Sequence, residues 1–186
     1  MKLSKSVLFL TIAALLAFAS VTFAQTKSTA PANSTAMLEK KIMRTIDNLP
    51  NYGVFDHIAF ALNDSGTVTL SGKVLSLGTS SLAKKAVAKI AGVTNVVNNI
   101  QDLNSNAADD HIRRQMLRTL GPQPVIGGLL QEPNPSVRII VENGKVSLEG
   151  WVANKSQKDT IYILASGVPG VFKVTNDLRV GKPENV

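Results

Sequence analysis

Apolar residues recur along this chain with two alternating periods, and the alternation marks out its elements. Leu38, Ile42, Met43 and Ile46 share one face at helical spacing, and Ile112, Met116, Leu117 and Leu120 repeat the pattern. The period then drops to two. Ile58, Phe60 and Leu62 alternate with other residues, as do Val68, Leu70 and Val74; Val137, Ile139 and Val141 followed by Val146, Leu148 and Val152 do the same later in the chain. Each set predicts two strands with one buried face. Asn143-Gly144 supplies the two positive-φ positions of a tight hairpin turn, whereas Asn63 to Gly66 forms a longer one. A second helix follows, with Leu82, Ala83, Ala86, Val87 and Ile90 inward and Lys84 and Lys85 outward. The closing strand is Val96 to Ile100, or Val174 to Leu178. The order α-β-β-α-β therefore occurs twice, and the expected fold class is α+β.

The duplication is explicit in the residues. Gly66-Thr-Val-Thr-Leu-Ser-Gly-Lys-Val74 recurs as Gly144-Lys-Val-Ser-Leu-Glu-Gly-Trp-Val152, an offset of 78, and the same offset carries Gly92 to Ile100 onto Gly170 to Leu178. Upstream, Met43-Arg-Thr-Ile46 matches Leu117-Arg-Thr-Leu120 at an offset of 74, and Pro50 matches Pro124, so the second copy holds four extra residues between first helix and hairpin. Such self-similarity signals a repeated structural unit. The expected domains are 36–103 and 108–181, joined by a linker at 104–107 and followed by a tail at 182–186.

The strand signature Asn-Gly-x-Val-x-Leu-x-Gly-x-Val and the closing Gly-Val-x-x-Val-x-Asn-x-Leu-x-Val of Gly170 to Val180 resemble the BON domain (bacterial OsmY and nodulation) family. The second copy resembles it more closely than the first, which has the longer turn and ends Ile100-Gln-Asp102. The resemblance implies two helices packed on one face of a three-stranded mixed sheet. It also implies an exported envelope protein associated with osmotic stress or membrane integrity, with anionic phospholipid bound by some members and no catalysis. In that frame Gly66, Gly72, Gly92, Gly144, Gly150 and Gly170 are structural positions. Asn98 and Asn176 share parity with Val96 and Val174, so their amides point inward and are expected to bond to backbone at a strand edge; a buried amide left unpaired costs about 1–3 kcal/mol.

The start of the chain changes the compositional picture. Lys2 and Lys5 precede an uncharged apolar run of thirteen residues, Val7 to Ala19, that leads to Thr22-Phe-Ala24. This reads as a cleaved signal peptide over 1–24, since a spanning helix needs about 20 apolar residues. Residues 25–35, rich in Ser, Thr, Ala and Pro, read as a flexible tether. The expected location is the periplasm of a Gram-negative bacterium, with no transmembrane segment in the mature chain. The formal net charge of +7 falls to +5 without the leader. Seven basic against five acidic residues in the first copy, and ten against eight after residue 107, show no basic block of the kind nucleic acid requires.

Candidate chemistry is sparse. The chain has no cysteine, which excludes a thiol nucleophile, a Cys-ligated metal and a lipidated N-terminal cysteine. Asp56-His57 and Asp109-Asp110-His111 lie in different copies and lack convergent ligands, so no metal, cofactor or catalytic residue is expected. Acidic residues at the start of a helix complement its dipole instead.

Binding is the remaining option. Lys40 with Arg44, and Arg114 with Arg118, stand four apart on the outer side of the first helix of each copy, a stripe suited to anionic headgroups. Between the copies, Lys73 is replaced by Trp151, Lys84 by Tyr162 and Lys85 by Ile163. The second copy also has an apolar loop, Val125 to Leu130, whose Ile126, Leu129 and Leu130 suit shallow insertion. Apolar surface of this kind marks a partner or membrane site. Trp151 has a competing explanation, packing between the copies, because the open sheet face of the first copy presents the small residues Ala59, Ala61, Thr69, Ser71 and Val97. The expected function is binding of an anionic phospholipid surface or an envelope protein by the second copy, without enzymatic activity. The alternative is a periplasmic holdase chaperone for unfolded envelope proteins.

Overall fold

The computed structural model describes residues 32–131 and 133–181. The expected leader, the tether as far as residue 31 and the tail 182–186 lie outside these described residues. The first copy runs α1 (Ala32–Asp47), β1 (His57–Leu62), β2 (Thr67–Val74), α2 (Thr79–Val87) and β3 (Asn95–Asp102). The second runs α3 (Ala107–Leu120), a 3-10 turn at Gly127–Leu130, β4 (Val137–Glu142), β5 (Lys145–Val152), α4 (Lys155–Ser166), β6 (Lys173–Asn176) and β7 (Arg179–Val180). The fold is α+β, two tandem α-β-β-α-β units. Helix α1 starts at Ala32, within the stretch read as tether.

In each sheet the hairpin is antiparallel and the closing strand lies parallel to the second strand of that hairpin. Register pairs Ile58 with Gly72 and Val137 with Gly150, which places Ile58, Phe60 and Leu62 on the same side as Val68 and Leu70. The helices cover that side. Ile42, Ile46, Val68, Leu70, Val74, Ala83 and Val87 are buried in the first core, and Ile112, Met116, Leu120, Val137, Ile139, Leu148 and Ile161 in the second. Leu82 and Leu117, expected inward, are exposed. The core takes the i, i+4 row in each helix, Ala83 with Val87 and Ile112 with Met116 and Leu120, so Leu82, one position before that row, and Leu117, one position after it, are each rotated about 100° onto the rim.

The final strand of the second copy is broken. β6 ends at Asn176 and β7 starts at Arg179, both alongside β5, with Leu178 buried in the gap and the Asp177 N–H donating to Leu148 O at 2.9 Å.

The two copies are joined through the segment preceding β1. Val54 is buried in the core of the second copy, Phe55 packs against that core, and the Val54 carbonyl accepts the Ile139 N–H at 2.7 Å, pairing with the outer edge of β4. Even-numbered residues of β4 face away from the helices. There Arg138 and Ile140 are buried. The Arg138 guanidinium donates to Gly53 O at 2.9 Å and to Asp47 Oδ1 at 3.4 Å, and lies 4.0 Å from the centre of the Tyr52 ring. A Lys73–Glu142 ion pair adds a further tie. The small residues of the first copy's sheet face, offered as the inter-domain surface, are not in the contact: Ala59, Ala61, Ser71 and Val97 are exposed, and that face meets the second copy at its His57 and Lys73 end. The contact sits on the opposite partner, the sheet face of the second copy, where large and charged side chains replace Ala59 and Ala61 at the equivalent positions 138 and 140.

Candidate functional site

With its sheet face occupied near β4, the second copy presents its helices outward. Helices α3 and α4 pack side by side. Ile112, Met116 and Leu120 turn inward, leaving Arg114 and Arg118 exposed on α3. On α4, Ile161 and Ala165 are buried, so their neighbours Tyr162 and Ile163 are rotated out, 43% and 67% exposed. Two cations and two large apolar side chains thus occupy neighbouring helices of one layer. In the first copy Arg44 is exposed and Lys40 half-buried on α1, while α2 exposes Lys84 and Lys85.

The apolar loop does not join this surface. Ile126 and Leu130 are only 4% and 7% exposed and form part of the second core, with Leu129 packed against it. The inserted residues fold back as the 3-10 turn because an apolar side chain within reach of an unfilled core edge gains about 1.5–3 kcal/mol by burial. These three residues are removed from the binding set; Val125 is the large apolar residue of the loop that is exposed.

Trp151 is half-buried on the helix-free face of β5, where Arg179 of β7 lies 5.4 Å from the centre of its ring. It does not share a surface with Tyr162 and Ile163. His57, at the start of β1, approaches Glu149 on that same face at 3.9 Å. Burial and then the charges of Arg138 and Arg179 lower the His57 pKa to about 4, so the ring is neutral near pH 7.

The structural residues take matching places in both copies. Asn98 Nδ2 donates to Ser80 Oγ at 3.0 Å, and its Oδ1 accepts the Ile100 N–H at 3.3 Å. Asn176 Nδ2 donates to Lys158 O at 3.1 Å, with the Leu178 N–H on its Oδ1 at 3.4 Å. Each amide ties the closing strand to the second helix and occupies an N–H on the outer edge of the sheet. Gly66, Gly72, Gly92, Gly144, Gly150 and Gly170 all have positive φ. At Gly72 and Gly150 a Cβ would lie 2.1 Å from a carbonyl oxygen of the neighbouring strand, that of His57 or Ser136, so no side chain fits.

Asp109 does more than complement a helix dipole. Its buried carboxylate accepts the N–H groups of Asn143 and Gly144, both at 2.8 Å, fixing the hairpin turn to the start of α3. Burial works against the charge, but those two bonds, the Asn106 amide and Arg113 hold its carboxyl below the usual range. Among the described residues there is no group of three or more His, Asp or Glu side chains able to hold a metal, and no helix long and apolar enough to cross a membrane.

The junction residues Val54, Tyr52 and Arg138 escaped the sequence reading. Comparing the copies along the first strand of each hairpin, where Ala59 and Ala61 stand opposite Arg138 and Ile140, carries the missing signal.

Two separate stretches of the chain, residues 35–101 and 108–182, match the model of the BON domain. The chain belongs to the BON-domain family. Over 119 residues it is 29% identical to osmotically-inducible protein Y of Escherichia coli (strain K12), a match covering 62% of this chain and 58% of that relative. The tandem BON chain thus spans a little over half the length of the curated relative it matches. Among solved structures it is similar to CdsD, a structural protein of the type III secretion system of Chlamydia trachomatis, at 17% identity and a TM-score of 0.30, covering 80% of this chain and 94% of that one. The C-terminal domain of CdsD gives 16% identity and a TM-score of 0.27. Likenesses of that size carry no weight for function.

Proposed function

We propose that this tandem BON protein is a non-enzymatic, periplasmic envelope-maintenance protein of the osmotic-stress type, and that its second BON copy binds an anionic phospholipid surface through helices α3 and α4. The family and the name of the Escherichia coli relative support the envelope and osmotic part of this reading. The observation that carries the binding part is the juxtaposition of exposed Arg114 and Arg118 on α3 with exposed Tyr162 and Ile163 on α4, in the copy whose sheet face is engaged by its neighbour. Cations attract the surface, each worth about 1 kcal/mol near anionic lipid, and apolar side chains then enter the interface without a spanning segment.

The test is co-sedimentation of residues 25–186 with phosphatidylglycerol-containing vesicles and with phosphatidylcholine vesicles at two salt concentrations. Binding selective for the anionic vesicles, weakened by salt and by Tyr162→Gln with Ile163→Gln at unchanged far-UV CD, is the expected result. Absence of binding to either vesicle rejects it. Suppression of client aggregation without lipid then favours the holdase alternative, acting on the same exposed side chains.

A further inference from the structure

The hairpin end of the second copy carries a group of residues that the helix faces leave unused. In both copies the residue after Gly-Val hydrogen-bonds to the hairpin glycine: the Thr94 N–H donates to Gly66 O at 2.9 Å and the Phe172 N–H to Gly144 O at 2.8 Å. The backbone frame is therefore the same, and the side chains on it can be compared position by position. The first copy is polar and uncharged there, with Thr67, Thr94 and Asn95. The Thr94 hydroxyl turns back to donate to Ser65 O at 2.8 Å. The second copy has Lys145, Phe172 and Lys173 at the equivalent places.

Phe172 is 85% exposed, among the most exposed large apolar side chains described. Its ring lies against the Cα of Gly144, where an added Cβ would meet it at 2.3 Å. Lys145 and Lys173 are both exposed and are direct partners in the parallel register of β5 and β6, so their side chains stand together on one face. Neither has an ion-pair partner among the described residues. The carboxylates nearby are taken: Glu142, opposite Lys145 across the hairpin, pairs with Lys73 of the first copy, Asp110 pairs with Arg113, and Asp109 is buried in the turn. The second copy thus has one exposed aromatic and two cations without ion-pair partners at the positions where the first copy has an ordinary polar tip.

We infer that this tip, Lys145, Phe172 and Lys173, is a second lipid contact of the protein: the lysines meet anionic phospholipid headgroups and the Phe172 ring enters the interface beside them. The inference rests on the lipid reading above and adds residues outside α3 and α4. An aromatic ring gains by leaving water for the interfacial layer, and about fivefold in affinity is expected from each cation near an anionic surface.

The experiment installs in the second copy the residues of the first: Phe172→Thr, Lys145→Thr and Lys173→Asn together, in residues 25–186. Against phosphatidylglycerol-containing vesicles this variant should bind at least about 25-fold more weakly, the effect of the two lysines alone, with its far-UV CD unchanged. The reverse exchange, Thr94→Phe with Thr67→Lys and Asn95→Lys, should tighten binding severalfold, and it reads the same physics on the equivalent frame of the first copy. If the unmodified chain binds, the α4 variant weakens it and neither tip exchange changes it, the tip is overturned while the helix-face reading stands. If the unmodified chain binds no anionic vesicle, both fall.

Discussion

Asp109 shows how much a single side chain can do when its partners are backbone. A two-residue turn leaves N–H groups directed back toward the domain, and at Asn143 and Gly144 one buried carboxylate accepts both. Bonds to a charged acceptor are worth more than neutral ones, about 1.5–3 kcal/mol each. Asp109→Ala should therefore lower the stability of the second copy by about 3 kcal/mol, read as a fall in the urea midpoint, while the surface substitution Asp159→Ala changes it little. Because the folded-state pKa of Asp109 is depressed, its contribution is present above the unfolded value near 3.8 and is lost as pH falls through the folded value. The inward amides of Asn98 and Asn176 were legible from strand parity alone. The task of Asp109 was not, since its partners lie more than thirty residues away and no local period records them.

At the scale of elements, periodicity was a sufficient guide where one face of an element meets one core. It located the helices and hairpins, and the dipeptide Asn143-Gly144, with φ of 52° and 72°, identified the tight turn. It failed where an apolar segment lacked a period. The loop around Ile126 reads as exposed from its glycines and prolines, yet the core edge of the second copy recruits it. Leu178 keeps the inward parity of Val174 and is buried, but the strand expected to run through it is interrupted between β6 and β7. Ile126→Asp distinguishes the two readings of the loop. A carboxylate on an exposed loop costs almost nothing; placed in this core it should destabilise the second copy by more than about 3 kcal/mol, visible as early loss of the Trp151 fluorescence transition in urea.

For the whole molecule the junction adds a dependence on pH. His57 is held neutral by burial and by Arg138 and Arg179, with Glu149 at 3.9 Å. Its folded pKa of about 4 lies below the ordinary 6.5, so the stabilisation is complete above pH 6.5 and is lost as pH falls from there toward 4. The loss amounts to at most about 3 kcal/mol. Asp47 and Glu149, whose pKa values are raised chiefly by burial, act in the opposite direction and offset part of it. Urea midpoints measured across that window should fall with acidification, and His57→Gln, which does not titrate, should flatten the slope; identical slopes would remove His57 as the cause.

Val54 sits in the first copy by sequence and in the second core by packing. The covalent boundary at 104–107 and the physical boundary between the two folded bodies are consequently different places. A protease that nicks the 104–107 segment should leave two fragments that elute together from a sizing column. The amino-terminal fragment carries a piece of its companion's interior, so the pair behaves as a complementing split protein, and separation should require denaturant or the loss of Val54.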